Sequence, residues 1–79
     1  MTKREYLETL DVRKLVKNGL LPVTMLRDIN LFDAVSAFDT AFEKGLISRG
    51  DAMDGVAHTY KVSGRTVRKV MREMRATII

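Results

Sequence analysis

A small all-α domain of four to five helices is the fold this sequence predicts, and three observations carry that prediction. Apolar residues recur at helical spacing, as in Leu31, Ala34, Val35, Phe38, Ala41 and Phe42. The only strand-like runs, LLPV and the terminal ATII, are too short to build a sheet. At 79 residues, 46% apolar and 30% charged, the chain has room for one domain with a small core and is too hydrophobic for a disordered tail.

The elements follow in order from their start and stop signals. Thr2 and Glu5 have the spacing of a capping box, and Asp11 caps a second start before Val12, Leu15 and Val16. Asn18-Gly19 is a helix stop, with Pro22 beyond it, so residues 1–21 form an N-terminal helical segment. Residues 22–79 form the main domain. Its longest helix runs from about Val23 to Lys44, with Gly45 as its stop. Met25, Ile29 and Phe32 make a second apolar stripe on nearly the opposite side of that helix. The N-terminal helix or another copy of the chain must cover it, and cover from within the chain is the plainer expectation.

After KGLIS, a helix starts near Ser48–Asp51 and carries Met53, Val56, Ala57 and Tyr60 on one face. The tripeptide KVS interrupts it. Ser63 then caps the last helix, whose Val67, Val70, Met71, Met74 and Ile78 share one side.

Composition removes several classes of function. With no cysteine there is neither a disulfide framework nor a thiolate metal site, which fits a reducing, cytoplasmic setting. The opening MTKREYLETLDVRK has no uninterrupted apolar run, so no signal peptide is expected, and no run approaches the roughly 20 residues that span a bilayer. His58 is the only histidine and falls on the polar side of its helix, so no metal is expected. Asp51 and Asp54 lie one turn apart at a helix start, where the helix dipole explains them better than acid–base chemistry does. Ser63 lacks the base and oxyanion site a nucleophile needs, and the methionines sit at core spacings. Neither an enzyme, a cofactor nor a small-molecule ligand is expected.

The charge distribution is lopsided. Residues 61–75 hold Lys61, Arg65, Arg68, Lys69, Arg72 and Arg75 against Glu73 alone, whereas residues 1–60 hold eight bases and nine acids. Around a helix, Arg65, Arg68, Lys69, Arg72 and Arg75 fall within about 120°, opposite the apolar side. A solvated surface normally mixes signs, and this face has no acid, so a polyanionic partner is the better explanation.

The stretch MDGVAHTYKVSGRTVRKVMR, residues 53–72, resembles the helix-turn-helix family of DNA-binding proteins. Ala57 matches the small residue where the two helices cross. Val56, Val62, Val67 and Val70 match the apolar positions, and VSGRTV matches the capped start of the second helix. The family often opens its turn with glycine, where this chain has Lys61, and Asp54 lies near a position that often touches phosphate. The resemblance implies a C-terminal helix-turn-helix at 53–72 within a domain of residues 22–79, binding double-stranded DNA as a small regulator of bacterial, phage or mobile-element type.

On that reading the last helix enters the major groove. Ser63, Gly64, Arg65 and Arg68 face base edges, the two arginines suiting guanine. Lys61, Thr66, Lys69, Arg72 and Arg75 meet phosphates, with Arg49 at the start of the preceding helix. Useful specificity then calls for a homodimer on two half-sites, joined through Met25/Ile29/Phe32 or the ATII tail. Two other readings use the same residues: a protein-interaction module docking an acidic partner, and the DNA-reading part of a recombination, partition or packaging complex.

Overall fold

The computed structural model describes residues 1–78, and among them helices are the only regular elements. They are α1 (Lys3–Glu8), α2 (Val12–Lys17), α3 (Thr24–Ser36), α4 (Asp39–Glu43), α5 (Arg49–Tyr60) and α6 (Gly64–Arg75). None is long and apolar enough to cross a membrane.

Local chemistry sets most boundaries. Thr2 and Glu5 close a reciprocal capping box on α1, and the Asp11 carboxylate accepts from the Lys14 N–H to cap α2. The Thr2 N–H donates to Glu5 Oε1 at 2.9 Å, and this bond is the leading reason the Glu5 carboxyl lies below the usual glutamate range. Gly19 and Gly45 both take the left-handed conformation. Beyond each, the next N–H reaches back five residues, Leu20 to the Leu15 carbonyl and Leu46 to that of Ala41, which terminates the helix.

The expected helix from Val23 to Lys44 is broken. Ala37 and Phe38 separate α3 from α4, so six helical segments stand where four or five were expected; counting α3 and α4 as one interrupted helix gives five. The cause is that the helix outlasts its cover. Leu31 and Val35 are buried, whereas α4 buries no residue and Phe38 is exposed. Without packing on that face, Ser36, Asp39 and Thr40 at the break offer little helix propensity to bridge it.

The core is one cluster with α6 at its centre. Val67, Val70, Met71 and Met74 are all buried, and α6 packs against α1, α3 and α5, while α2 packs against α3. Leu7 and Val12 of the N-terminal segment belong to the same cluster. Met25, Ile29 and Phe32 are partly buried against it, so the second stripe of α3 is largely covered by the chain itself.

Ile78 does not continue the buried side of α6 as its spacing suggested. Ala76 turns extended and ends the helix, and Ile78 is 46% exposed. Residues 76–78 instead run beside the N-terminus: Lys3 N–H donates to the Ala76 carbonyl at 2.9 Å and Ile78 N–H to that of Met1 at 3.0 Å. These bonds close a single antiparallel bridge between Thr2 and Thr77. Ile79, the end of the ATII tail considered as an interface, lies outside the described residues.

A second link holds α1 in place. Arg4 Nε and Nη2 each donate to Asp33 of α3 at 2.9 Å, a two-pronged pair that raises the arginine pKa further. Among the described residues no polar or charged residue is buried, and no buried side-chain polar atom lacks a partner.

Candidate nucleic-acid interface

Three residues, 61–63, join α5 to α6. Lys61 ends α5 in the left-handed conformation, with φ 56°, the only non-glycine residue with positive φ among those described. The same five-residue return bond recurs here, from Val62 N–H to the Ala57 carbonyl at 3.0 Å. Lys61 thus occupies the conformation that Gly19 and Gly45 supply elsewhere, at a steric cost glycine avoids. Two residues later the chain is extended at Ser63, and α6 begins.

The Ser63 hydroxyl caps α6 by accepting from the Thr66 N–H at 3.1 Å, and the two hydroxyls lie 3.0 Å apart. Both side chains are therefore partly committed to building the helix start. Gly64 follows as the first helical residue. A Cβ added there would lie 3.4 Å from Arg68 Nη1 and 3.8 Å from Asp54 Oδ1. The guanidinium of α6 and the carboxylate of α5 thus flank one small space over the leading turn.

Behind that turn, Arg65, Arg68, Lys69 and Arg72 are exposed, and the opposite side of α6 is the core. Among the described residues none of these four forms an ion pair within 4 Å. Their charges are available to a partner. Glu73 is half-buried off the strip.

Arg75 and Arg49 are brought together at the other end of α6. Arg75 lies over the Phe32 ring at 6.0 Å and Arg49 over Phe42 at 5.3 Å, and both line one open cleft with Asp39 and Glu43. Each guanidinium has an aromatic face as a neighbour, and two carboxylates temper the local charge. Lys61, exposed, stands at the Ser63 end.

The placement of Asp54 beside Gly64 was not legible from the sequence, where Asp51 and Asp54 read as paired acids at a helix start. Asp51 is in the first turn of α5, while Asp54 comes a turn later, where the helix dipole no longer acts. The available signals were the absence of a side chain at residue 64 and the resemblance that puts Asp54 near a position often touching phosphate. His58 is exposed, and among the described residues no group of three or more His, Cys, Asp or Glu is arranged to hold a metal ion.

In comparisons with known proteins, no family model, curated protein or solved structure matches this chain.

Proposed function

We propose that this protein binds double-stranded DNA through α5 and α6 acting as a helix-turn-helix, with α6 in the major groove, as a small transcriptional regulator that works by occupying its operator. The observation that carries this reading is the division of α6. Four residues anchor one side in the core, and on the other Arg65, Arg68, Lys69 and Arg72 stand exposed and, among the described residues, without an ion pair, preceded by a capped, side-chain-free first residue. A single helix is what the major groove admits, and residues of its N-terminal turns reach base edges.

Arg65 and Arg68 read guanine through their planar forks, with the Ser63–Gly64 backbone close to the groove floor. Lys61, Lys69, Arg72 and the Thr66 hydroxyl meet phosphates, and Arg49 and Arg75 extend the positive surface beyond the helix end. Two copies on adjacent half-sites supply the specificity one helix lacks. With Met25, Ile29 and Phe32 turned largely inward, the exposed Phe38 and Leu46 near α4 offer the apolar surface for that contact.

The test is a selection of binding sites from random duplex DNA, with affinity measured across a salt series. The reading expects enriched sites of two-fold symmetry and binding that weakens steeply as salt rises. A protein that binds an acidic protein surface but no duplex would replace this reading with that of an interaction module. Enriched sites without control of a neighbouring promoter would move the role to recombination, partition or packaging.

A further inference from the structure

Resting on the DNA reading above, we infer that Asp54 is a specificity-determining residue: its carboxylate accepts a hydrogen bond from a cytosine amino group while Arg68 reads guanine in the same or the adjacent base pair.

Asp54 is a carboxylate in the wrong place for a general polyanion-binding surface. Asp54 is exposed, lies beyond the first turn of α5, caps nothing and joins no ion pair within 4 Å among the described residues. Neither helix dipole nor salt bridge accounts for it. Its Oδ1 sits across the Gly64 space from Arg68 Nη1, at the turn that leads into the groove. A negative charge there repels phosphate and lowers sequence-blind affinity. It is tolerated where the facing group is a hydrogen-bond donor.

In the major groove the donors on base edges are the amino groups of cytosine and adenine. A carboxylate suits the cytosine N4 amino group, and a guanidinium suits the O6 and N7 acceptors of guanine. A G·C pair presents both on one edge, and successive pairs are stacked only about 3.4 Å apart. An anion and a cation flanking one small space therefore match that edge in sign, and a methyl group at residue 64 would stand in contact with both. Specificity then comes partly from repulsion: Asp54 penalises every register that offers it an acceptor or a phosphate.

The experiment repeats the site selection with the full chain and with Asp54→Asn, Asp54→Ala and Gly64→Ala, and measures affinity for random duplex. The unmodified protein should select sites with a fixed G·C pair. Asp54→Asn should lose about tenfold of the preference for that pair and move toward adenine, whose N6 and N7 suit an amide. Asp54→Ala should relax the position without gaining adenine, and both should bind random duplex more tightly. Gly64→Ala adds a methyl group in ordinary contact with both charged groups and should weaken the preferred site only modestly. Identical selected sites and equal random-duplex affinity across the Asp54 variants would overturn the inference while leaving DNA binding intact. Failure of the unmodified protein to bind or to select any duplex would instead remove the DNA reading, and this inference with it. Asp54→Ala and Gly64→Ala keep the question answerable if Asp54→Asn does not fold, which circular dichroism checks.

Discussion

The Val62 N–H donates to the Ala57 carbonyl at 3.0 Å, wrapping the end of α5 around a lysine held at φ 56°. The same bond at the ends of α2 and α4 encloses Gly19 and Gly45. Lys61→Gly should therefore stabilise the protein. A side chain in this conformation costs about 1–2 kcal/mol, and glycine's extra freedom in the unfolded chain cancels about 0.5–1 kcal/mol of the relief. A net gain of about 0.5–1 kcal/mol raises the melting temperature of a domain this size by about 4 °C. A lower melting temperature would mean that the Lys61 side chain makes stabilising contacts. In DNA binding the same variant should lower the salt slope by about one unit, through the lost cation.

Ala57, whose carbonyl accepts that bond, is 6% exposed and lies in the core cluster. Ala57→Leu adds volume in that cluster, to which α5 and α6 both contribute, and overpacking of this kind costs about 1–3 kcal/mol. Urea unfolding measures it. Unchanged stability together with unchanged DNA binding would show that the two helices do not meet at Ala57, and the helix-turn-helix reading would go.

Two ion pairs of Arg4 should differ sharply. The pair with Asp33 is two-pronged at 2.9 Å, with the Arg4 side chain 17% and that of Asp33 50% exposed. The contact to Glu8 is single, 3.6 Å long, and Glu8 is 63% exposed. Asp33→Ala should cost about 1 kcal/mol, because it also loosens α1 from α3, whereas Glu8→Ala should cost about 0–0.5 kcal/mol. Equal losses would show that the Asp33 pair is no better than a solvated contact.

Glu5 gives a pH dependence with a definite sign. The Thr2 N–H bond, then the Thr2 hydroxyl contact, hold its carboxyl below the ordinary glutamate value of 4.5. A carboxylate depressed in the folded state contributes stability that is fully present above its unfolded pKa and is lost as pH falls through the folded one. The contribution of this cap should thus persist at neutral pH and disappear in acid, below about 4.5. Carboxyl NMR titration reads it directly: Glu5 should titrate below an unfolded reference, and Glu5→Gln should remove that share of the acid sensitivity. A Glu5 midpoint at or above the reference contradicts the capping-box account.

The bases of α6 should not be interchangeable on DNA. Arg65→Ala should cost about 1–3 kcal/mol on the preferred site and relax one position. Lys69→Ala or Arg72→Ala should weaken all duplexes alike and lower the salt slope by about one unit each. Arg75→Ala should do less, because its guanidinium lies over Phe32 beside the Asp39–Glu43 cleft. Equal, sequence-blind losses from Arg65 and Lys69 would reduce α6 to a basic helix with no base readout.

Features under local chemistry and helical periodicity can be read along the chain. The helical class, the caps at Thr2, Asp11 and Ser63, a helix start near Ser48–Asp51, the stops at Gly19 and Gly45, and the buried face Val67–Val70–Met71–Met74 were all legible. Each depends on residues within about a turn of one another, so spacing along the chain records it. Tertiary structure alone decided the rest. The break at Ala37–Phe38 came from running out of cover, which periodicity cannot report, since Phe38 and Phe42 keep the spacing of a core face although Phe38 is exposed and Phe42 only half-buried. The Thr2–Thr77 bridge, the Arg4–Asp33 pair and the grouping of Arg49 with Arg75 join residues distant in sequence. So does the placement of Asp54 beside Gly64 and Arg68, because an anion's neighbours are set by how two helices cross and not by the order of residues within either.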